Sequence, residues 1–243
     1  MCKRVVVTGV GVVAPNGIGK DDFWKANLKG KSGVEPLDLF DTSKMITKNA
    51  GQVRAFDPSQ FMSREVTGQV DRFVQLGLAS GKLAIEDSDL TLDELDRERV
   101  GVIIGSGLGG ILFHEEQLMK NAHKGAHRVR PICVPRITPN AVASHLAIQY
   151  KLLGPNYVVT TACASGNHAI GEAYKKIQAG KADIMLTGGT EAPLTPYTIG
   201  AFYSLRVLSK AKRPPHQISR PFDHQRDGFV MAEGAAILIL EDL

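Results

Sequence analysis

Short runs of aliphatic and β-branched residues alternate along the chain with longer segments whose apolar residues recur at helical spacing. This alternation predicts an α/β architecture in which helices cover a sheet of buried strands. The predicted strands are residues 4–8, 100–106, 156–161, 183–187 and 234–240. The predicted helices are residues 21–29, 71–87, 110–122, 139–151 and 164–179.

Residues at the ends of these segments refine the prediction. Gly180 follows the helix at 164–179, where a glycine commonly ends a helix in a left-handed conformation. Pro139 fits the first turn of its helix with Thr138 as the N-cap. Residues 235–240 are apolar throughout and only three residues follow them, so we expect a partner molecule or a longer polypeptide to cover this strand.

The composition narrows the class of protein but names no ligand. A chain of 243 residues with 43% hydrophobic and 22% charged residues is long enough for one large or two small domains with a substantial core. With a formal net charge of +4, these values exclude a disordered chain, collagen and a coiled coil. One tryptophan and five tyrosines argue against a protein that stacks single-stranded nucleic acid on aromatic side chains.

Cysteines and apolar runs bear on the cellular compartment. Cys2, Cys133 and Cys163 have no paired spacing, so neither a disulfide framework nor a CxxC metal site is predicted and a reducing compartment is the default. No apolar run approaches the roughly 18 residues of a membrane-spanning helix. Residues 1–4 lead directly into a predicted strand without a targeting segment. We therefore expect a cytoplasmic protein, or one in an organelle matrix whose targeting segment has been removed.

Two glycine-rich segments have the spacing of the dinucleotide-binding fingerprint GxGxxG/A. Residues 9–14 follow a predicted strand, but residues 15–17 (Pro-Asn-Gly) predict a turn where the fingerprint needs a helix to begin. Residues 105–110 precede a predicted helix, yet no acidic residue follows at the distance of about 20 residues at which the ribose is bound. We interpret both segments as sites of close backbone packing.

A long segment without acidic residues, between Glu116 and Glu172, carries several basic side chains. They are Lys120, Lys124, Arg128, Arg130, Arg136 and Lys151. We expect one face of the protein to be positive, either as a solvated surface or as a docking site for an acidic partner or a phosphate-bearing substrate.

Cys163 gives the strongest chemical signal. An apolar strand leads through small residues into the helix predicted at 164–179, so Cys163 is expected at the N-terminus of that helix. Unpaired N–H groups and the helix dipole stabilise negative charge there, and the small neighbours leave room for a substrate. The arrangement parallels the strand–turn–helix that presents the nucleophile of other acyl-transfer enzymes. The alternative is a buried, inert cysteine.

Spacing alone pairs no histidine with Cys163. His168 lies five residues farther along the same predicted helix, so its ring is not expected to reach the thiol. His145 lies on a different helix and could approach. The other histidines are expected at the surface or in loops: His114, His123, His127, His216 and His224.

Five separated motifs occur in order along the chain. They are residues 5–11 (VVVTGVG), 105–110 (GSGLGG), 160–166 (TTACASG), 187–191 (TGGTE), and 220–223 (RPFD) with 226–229 (RDGF). Together they resemble the elongating β-ketoacyl-acyl carrier protein synthases, the type II synthase most closely. The resemblance runs in register from residue 3 to the end of the chain.

This resemblance implies a thiolase-like fold of two similar βαβαβαββ halves stacked as five αβαβα layers. The chain covers only the first half, so residues 1–243 are expected to form one N-terminal ketoacyl-synthase domain. The implied reaction is a decarboxylative Claisen condensation: the cysteine takes an acyl chain from acyl carrier protein, malonyl-carrier loses carbon dioxide, and the carbanion attacks the thioester to extend the chain by two carbons. No cofactor or metal is implied, because phosphopantetheine on the carrier holds the substrates.

The family's site residues carry over by position. Cys163 matches the acylated nucleophile, and its backbone N–H matches one oxyanion donor. Leu108 and Phe202 match apolar residues of the acyl pocket, although both could also be core residues. The histidines and the lysine that promote decarboxylation, and the second oxyanion N–H, belong to the second half, so we expect this chain alone not to complete condensation.

The resemblance also implies protein partners. Arg206 matches a basic residue that contacts the acyl carrier protein, and Arg64 and Arg128 are weaker matches. The strand at 156–161 resembles the strand that pairs across the family's homodimer axis. Cys133 lies in a segment that approaches the partner's pocket in relatives, where an aromatic residue is common.

Two other hypotheses stay open from the sequence. One is a cysteine-dependent thioester acyltransferase or hydrolase that uses a histidine of this chain, such as His145. The other is a non-catalytic scaffold that docks a carrier protein or dimerises. The retained Cys163 distinguishes the chain from chain-length-factor subunits, which resemble the synthases but lack the nucleophile.

Overall fold

Helices and strands alternate along the chain, and the computed structural model describes residues 3–122, 125 and 128–243. The strands are β1 (Val5–Ala14), β2 (Gly17–Ile18), β3 (Val34–Pro36), β4 (Asn49–Gly51), β5 (Val100–Gly105), β6 (Asn156–Val159), β7 (Ile184–Glu191) and β8 (Gly234–Asp242). The α-helices are α1 (Lys20–Leu28), α2 (Arg64–Gln69), α3 (Arg72–Asp87), α4 (Ile111–Asn121), α5 (Cys133–Ile137), α6 (Ala141–Tyr150), α7 (Ser165–Gln178) and α8 (Pro196–Ser204). None of the helices in these residues is long and apolar enough to cross a membrane.

Six strands form one mixed sheet in the order β2–β1–β8–β7–β5–β6. Strand β5 runs parallel to both β6 and β7, whereas β8 is antiparallel to both β1 and β7. Strands β3 and β4 pair separately. Helices α3, α6 and α7 supply the core on the two faces of the sheet. With the sheet strands longer than two residues they follow the order β1, α3, β5, α6, β6, α7, β7, β8. This is the βαβαβαββ order that the family resemblance implies.

Helices bury the sheet on both of its faces. In β5, Val102 and Ile104 pack into the larger core cluster with α3 and α6, whereas Ile103 between them packs with α7 on the opposite face. All three side chains are fully buried. Because successive side chains of a strand point to opposite faces, a strand covered on both faces is apolar without alternation. This explains why uninterrupted apolar runs marked the central strands.

Strand β1 continues to Ala14, beyond the predicted end at residue 8. Gly9 and Gly11 lie within the strand, and a Cβ atom on either would collide with the backbone of α3 at Ala84 or Ser80. The segment is strand throughout, and α1 begins only at Lys20. The interpretation of these glycines as close-packing sites is confirmed.

One helix cap is assigned wrongly by the sequence. Helix α6 begins at Ala141 with Asn140 at the N-cap position, so Thr138 is not the cap and Pro139 is not in the first turn. Thr138 is instead the C-cap of the short helix α5, and its carbonyl oxygen accepts a hydrogen bond from the Ala141 N–H at 3.1 Å. At the end of α7 the prediction holds, because Gly180 follows the cap with a φ of 67°.

Strand β8 lies inside the sheet, between β1 and β7. Ile237 and Ile239 belong to the core cluster that contains α3, and Leu240 packs into the cluster on the α7 side. Elements earlier in the chain therefore cover these side chains, and the expectation that cover must come from outside residues 1–243 is wrong for them. Ala236 of the same strand is exposed.

Candidate active site

The turn between β6 and α7 presents Cys163. Strand β6 ends at Val159 and α7 begins at Ser165, with Ala164 as its N-cap. Cys163 directly precedes that cap and is exposed. The sequence therefore places the thiol correctly at the helix N-terminus, and the expectation of burial in the alternative interpretation is wrong.

A strained backbone and a buried serine define this turn. Ala162 has a φ of 52°, a left-handed conformation that costs a residue other than glycine roughly 1–2 kcal/mol. The Ser165 hydroxyl donates to the Ala162 carbonyl oxygen at 2.6 Å and accepts from the Thr161 N–H at 2.9 Å. Ser165 is buried, so these two bonds hold the strained residue beside Cys163 in place.

A cavity of about 500 Å³ opens beside Cys163. Its walls come from the C-terminal ends of β5 and β7, the loop after β5, helix α8 and the segment before β8. Leu108 and Phe202 both line it, and the rings of Phe202 and Phe229 meet edge to face with 5.9 Å between their centroids. The structure thus brings the three residues predicted for acylation and the acyl pocket to one cavity. Helix α8, which carries Phe202, is absent from the predicted elements.

Glu191 also lines this cavity, and the sequence pattern assigns it no role beyond membership of a motif. Its Oε2 atom accepts hydrogen bonds from the N–H groups of Gly107 at 2.6 Å and Leu108 at 3.1 Å. Burial raises the pKa of the Glu191 carboxyl, while these N–H groups act in the opposite direction. The backbone groups that a dinucleotide phosphate would use at this glycine-rich loop are therefore bonded to a carboxylate of the protein itself.

The position of Glu191 leaves one signal in the sequence. It is the last residue of β7, and β7 is parallel to β5, which ends at Gly105. Because parallel strands end at the same edge of a sheet, an acid at the end of one strand can meet a loop that follows its neighbour.

No histidine in the described part of the chain lines the cavity. His145 on α6 is half-buried, and burial lowers its pKa. The Nδ1 atom of His168 lies 2.8 Å from the Thr161 hydroxyl, so its ring reaches the turn that carries Cys163, which the spacing argument did not anticipate. His114, His216 and His224 are exposed as expected, and His123 and His127 lie outside the described residues.

Residues 2–243 match the family model described as "Beta-ketoacyl synthase, N-terminal domain". The chain belongs to the beta-ketoacyl synthase family. It is 41% identical over 241 residues to 3-oxoacyl-[acyl-carrier-protein] synthase 2 of Synechocystis sp. and 38% identical over 244 residues to the chloroplastic synthase I of Arabidopsis thaliana. These alignments include 99% of this chain but only 58% and 52% of the relatives. The chain therefore spans little more than half the length of the curated synthases it matches.

Solved ketosynthases share the architecture. The ishigamide ketosynthase/chain length factor superposes with a TM-score of 0.89 at 29% identity, over 100% of this chain and 59% of that one. A structure of a type II polyketide synthase acyl-carrier protein in complex with its ketosynthase superposes with a TM-score of 0.86 at 33% identity, with the same coverage. These likenesses confirm the expected thiolase-like fold, of which this chain forms the N-terminal half.

The arginines expected to dock a carrier protein are all at the surface. Arg206 is exposed two residues after α8, the helix that brings Phe202 to the cavity. Arg64 is the exposed first residue of α2, and Arg128 is exposed in the segment between α4 and α5. Of the three arginines, Arg206 is the one nearest in sequence to Phe202 in the cavity wall.

Arg136 is the one described basic residue of the segment from Glu116 to Glu172, among those expected on a positive face, that is not fully exposed. Its guanidinium lies 4.2 Å from the ring centre of Phe113 and donates to the Gly68 carbonyl oxygen at 3.3 Å. The residue is half-buried, and its side chain packs on Phe113 instead of being fully solvated. The other basic side chains of the segment are exposed where they are described: Lys120, Arg128, Arg130 and Lys151. Lys124 lies outside the described residues.

Two further expectations concern metals and the remaining cysteines. Within the described residues, no cluster of three or more His, Cys, Asp or Glu side chains has a geometry that could hold a metal ion. Cys133 is a buried free cysteine at the start of α5, in contrast to the exposed Cys163.

Proposed function

We propose that this chain is the nucleophile-bearing half of a β-ketoacyl-acyl carrier protein synthase and that Cys163 accepts the acyl group. The sulfur attacks the thioester carbonyl of an acyl carrier protein, the bond from that carbonyl to the carrier's sulfur breaks, and the carrier leaves as its thiol. The observation that carries the proposal is an exposed thiol on a strained turn, opening into a cavity with Leu108 and Phe202 in its wall.

The N-terminus of α7 supplies the electrostatics of this step. The helix is 14 residues long, and the positive end of its dipole lies directly after Cys163. Such a helix end stabilises the negative charge that develops on sulfur and on the carbonyl oxygen. In the proposed mechanism the Cys163 N–H is one oxyanion donor, as in the synthases that the chain resembles.

We propose that condensation takes place in a synthase that contains both halves of the family fold. Malonyl-carrier would lose carbon dioxide, and the carbanion would attack acyl-Cys163 to form a carbon–carbon bond and release the cysteine sulfur. The residues that promote decarboxylation in the family lie in its second half, so residues 1–243 are expected to stop at the acylated state. The domain boundary at residue 243 is part of this proposal.

The proposed partners are an acyl carrier protein and a second copy of the chain. Arg206, Arg64 and Arg128 are the proposed contacts for the acidic carrier, supported by their exposure and, for Arg206, by its proximity in the chain to Phe202. The proposed homodimer contact is the strand region 156–161. Its support is that β6 lies at one edge of the sheet, next to β5, and β2 lies at the other.

No free cofactor enters the proposed reaction, because the thioester itself activates the acyl group. A compartment such as the cytoplasm suits the proposal, since a reducing environment keeps the Cys163 thiol available.

Intact-protein mass spectrometry after incubation with an acyl-pantetheine thioester tests the nucleophile. The wild-type chain is expected to gain one acyl group. Cys163→Ala is expected to gain none, and Cys133→Ala, which removes the buried cysteine, serves as the matched control and is expected to react like wild type. An adduct that survives Cys163→Ala would overturn the assignment.

Two further measurements, of thioester turnover and of carrier-protein binding, separate the two alternative hypotheses. A thioester hydrolase that uses His145 would consume the thioester repeatedly and lose that turnover in His145→Ala. A carrier-docking scaffold would bind the carrier protein in the Cys163→Ala variant and form no covalent adduct in any variant. The position of His145 outside the cavity wall argues against the hydrolase.

A further inference from the structure

A carboxylate that the proposed chemistry does not use forms part of the wall of the Cys163 cavity. Glu191 accepts two backbone N–H groups, from Gly107 and Leu108, on its Oε2 atom. The Ser106 hydroxyl donates to its Oε1 atom at 3.3 Å and in turn accepts the Gly109 N–H at 3.2 Å. One carboxylate thus ties down four consecutive residues.

These contacts satisfy the loop N–H groups of Gly107, Leu108 and Gly109, which donate to side-chain oxygens and not to backbone carbonyl oxygens. The loop is fixed at one end by the Ser106 N–H, which donates to the Val159 carbonyl oxygen at 3.2 Å. At the other end the Gly110 N–H donates to the Ile137 carbonyl oxygen at 3.0 Å. Between these points, the N–H groups of Gly107 and Leu108 donate to Glu191. The Gly109 N–H donates to the Ser106 hydroxyl, which in turn donates to Glu191.

Core packing contributes little to the position of Leu108. The residue is 42% exposed, and glycines flank it on both sides. Gly109 has a φ of 60°, and because glycine has no Cβ atom its backbone can adopt other conformations if its hydrogen bonds are lost. The hydrogen bond from the Leu108 N–H to Glu191 is therefore the contact that fixes this residue against the cavity.

We infer that Glu191 is a positioning residue that holds Leu108 in the cavity wall and thereby sets how long an aliphatic chain can reach Cys163. The inference rests on the proposed function, because an acyl chain is the ligand that Leu108 would meet. With the carboxylate in place Leu108 narrows the cavity; without it the Gly107–Leu108 segment moves away and long chains gain access.

The test uses alkylating reagents, so that it does not depend on acyl transfer. Cys163 is alkylated with iodoacetamide and with N-octyl iodoacetamide; the sulfur displaces iodide and the thiol proton passes to the buffer. Rates are measured by mass spectrometry on the peptide that contains Cys163. The ratio of the octyl rate to the iodoacetamide rate cancels any change in ionisation of the thiol, because both reagents attack the same sulfur.

Glu191→Ala and Leu108→Ala are each expected to raise this ratio by about tenfold, the scale on which a hydrophobic pocket discriminates chain length. The double variant is expected to match either single variant, because both changes remove the same obstruction. Glu191→Gln, which keeps one oxygen as acceptor for the two N–H groups, is expected to restore the ratio in part. The control Glu86→Ala removes an exposed carboxylate on α3 and should leave the ratio unchanged.

An unchanged ratio, equal changes in both rates, or multiplied effects in the double variant would each overturn the inference. If Glu191→Ala does not fold, amide hydrogen exchange of Glu191→Gln decides: faster exchange confined to Gly107 and Leu108 supports the inference, and unchanged protection overturns it. A shifted ratio in a chain that no thioester acylates would refute the proposed function and leave the positioning role intact.

Discussion

Ser165→Ala is predicted to loosen the turn that presents Cys163. The substitution deletes the hydroxyl that donates to the Ala162 carbonyl oxygen at 2.6 Å and accepts from the Thr161 N–H at 2.9 Å. Two hydrogen bonds at about 1 kcal/mol each give a loss of roughly 2 kcal/mol in the free energy of unfolding. Thr161 is exposed, so water can reach its freed N–H and the loss stays near this value.

Two assays check this prediction on the same protein. Urea unfolding followed by circular dichroism gives the change in stability, and mass spectrometry gives the rate of Cys163 acylation by an acyl-pantetheine thioester. If the turn must return to its wild-type conformation before each reaction, part of the lost stability adds to the activation free energy. Each 1.4 kcal/mol or so that is added makes acylation about tenfold slower. Ser43→Ala, which removes an exposed hydroxyl bonded to Asp41, is the control. A stability loss below about 0.5 kcal/mol, the range of an ordinary surface substitution, with an unchanged acylation rate would refute the reasoning.

Two further predictions concern ion pairs. Glu233 is buried, and its carboxylate accepts hydrogen bonds from the Arg72 Nε at 2.6 Å and Nη2 at 2.7 Å. Arg72→Ala should therefore lower the free energy of unfolding by about 3–5 kcal/mol in urea titrations, because it leaves a buried carboxylate without its partner. Arg72→Lys should cost less, and equal losses in the two variants would contradict the role of the bidentate ion pair. Arg99 and Lys3 hold the pKa of the Asp183 carboxyl well below its ordinary value of 3.8, so its stabilisation is complete above that pH and is lost as the pH falls further. Urea titrations should therefore show wild type losing more stability than Asp183→Asn on acidification below pH 3.8, and parallel pH profiles would contradict this pairing.

Local sequence signals predicted the elements whose cause is local. Fully buried strands appear as apolar runs, Gly180 ends α7 where a left-handed residue is required, and the junction of strand and helix places Cys163. Helix α8 had a local signal as well, because Thr195 caps it with its side chain and Pro196 begins it. This Thr-Pro pair is a signal from which the helix that carries Phe202 could have been predicted.

The parts that the sequence did not predict depend on distant contacts. The second half of β1 is a strand because α3 packs against Gly9 and Gly11 and β8 pairs alongside, and periodicity within residues 9–14 carries no trace of either neighbour. Thr138 has the residue type and position of an N-cap, but it is already the C-cap of the preceding helix α5. The tie between Glu191 and Leu108 joins residues 83 positions apart, so only the parallel pairing of β5 and β7 reveals it.

The most direct test of the central claim follows both products of a single acyl transfer. The chain is incubated with an acyl carrier protein that bears a thioester, and the acylated Cys163 peptide and the free carrier thiol are measured together over time. Transfer to Cys163 predicts that the two rise in equal amounts and stop when every Cys163 is acylated. Carrier thiol released without a matching amount of acyl-Cys163, or acylation at another residue, would contradict the claim that Cys163 is the acyl acceptor.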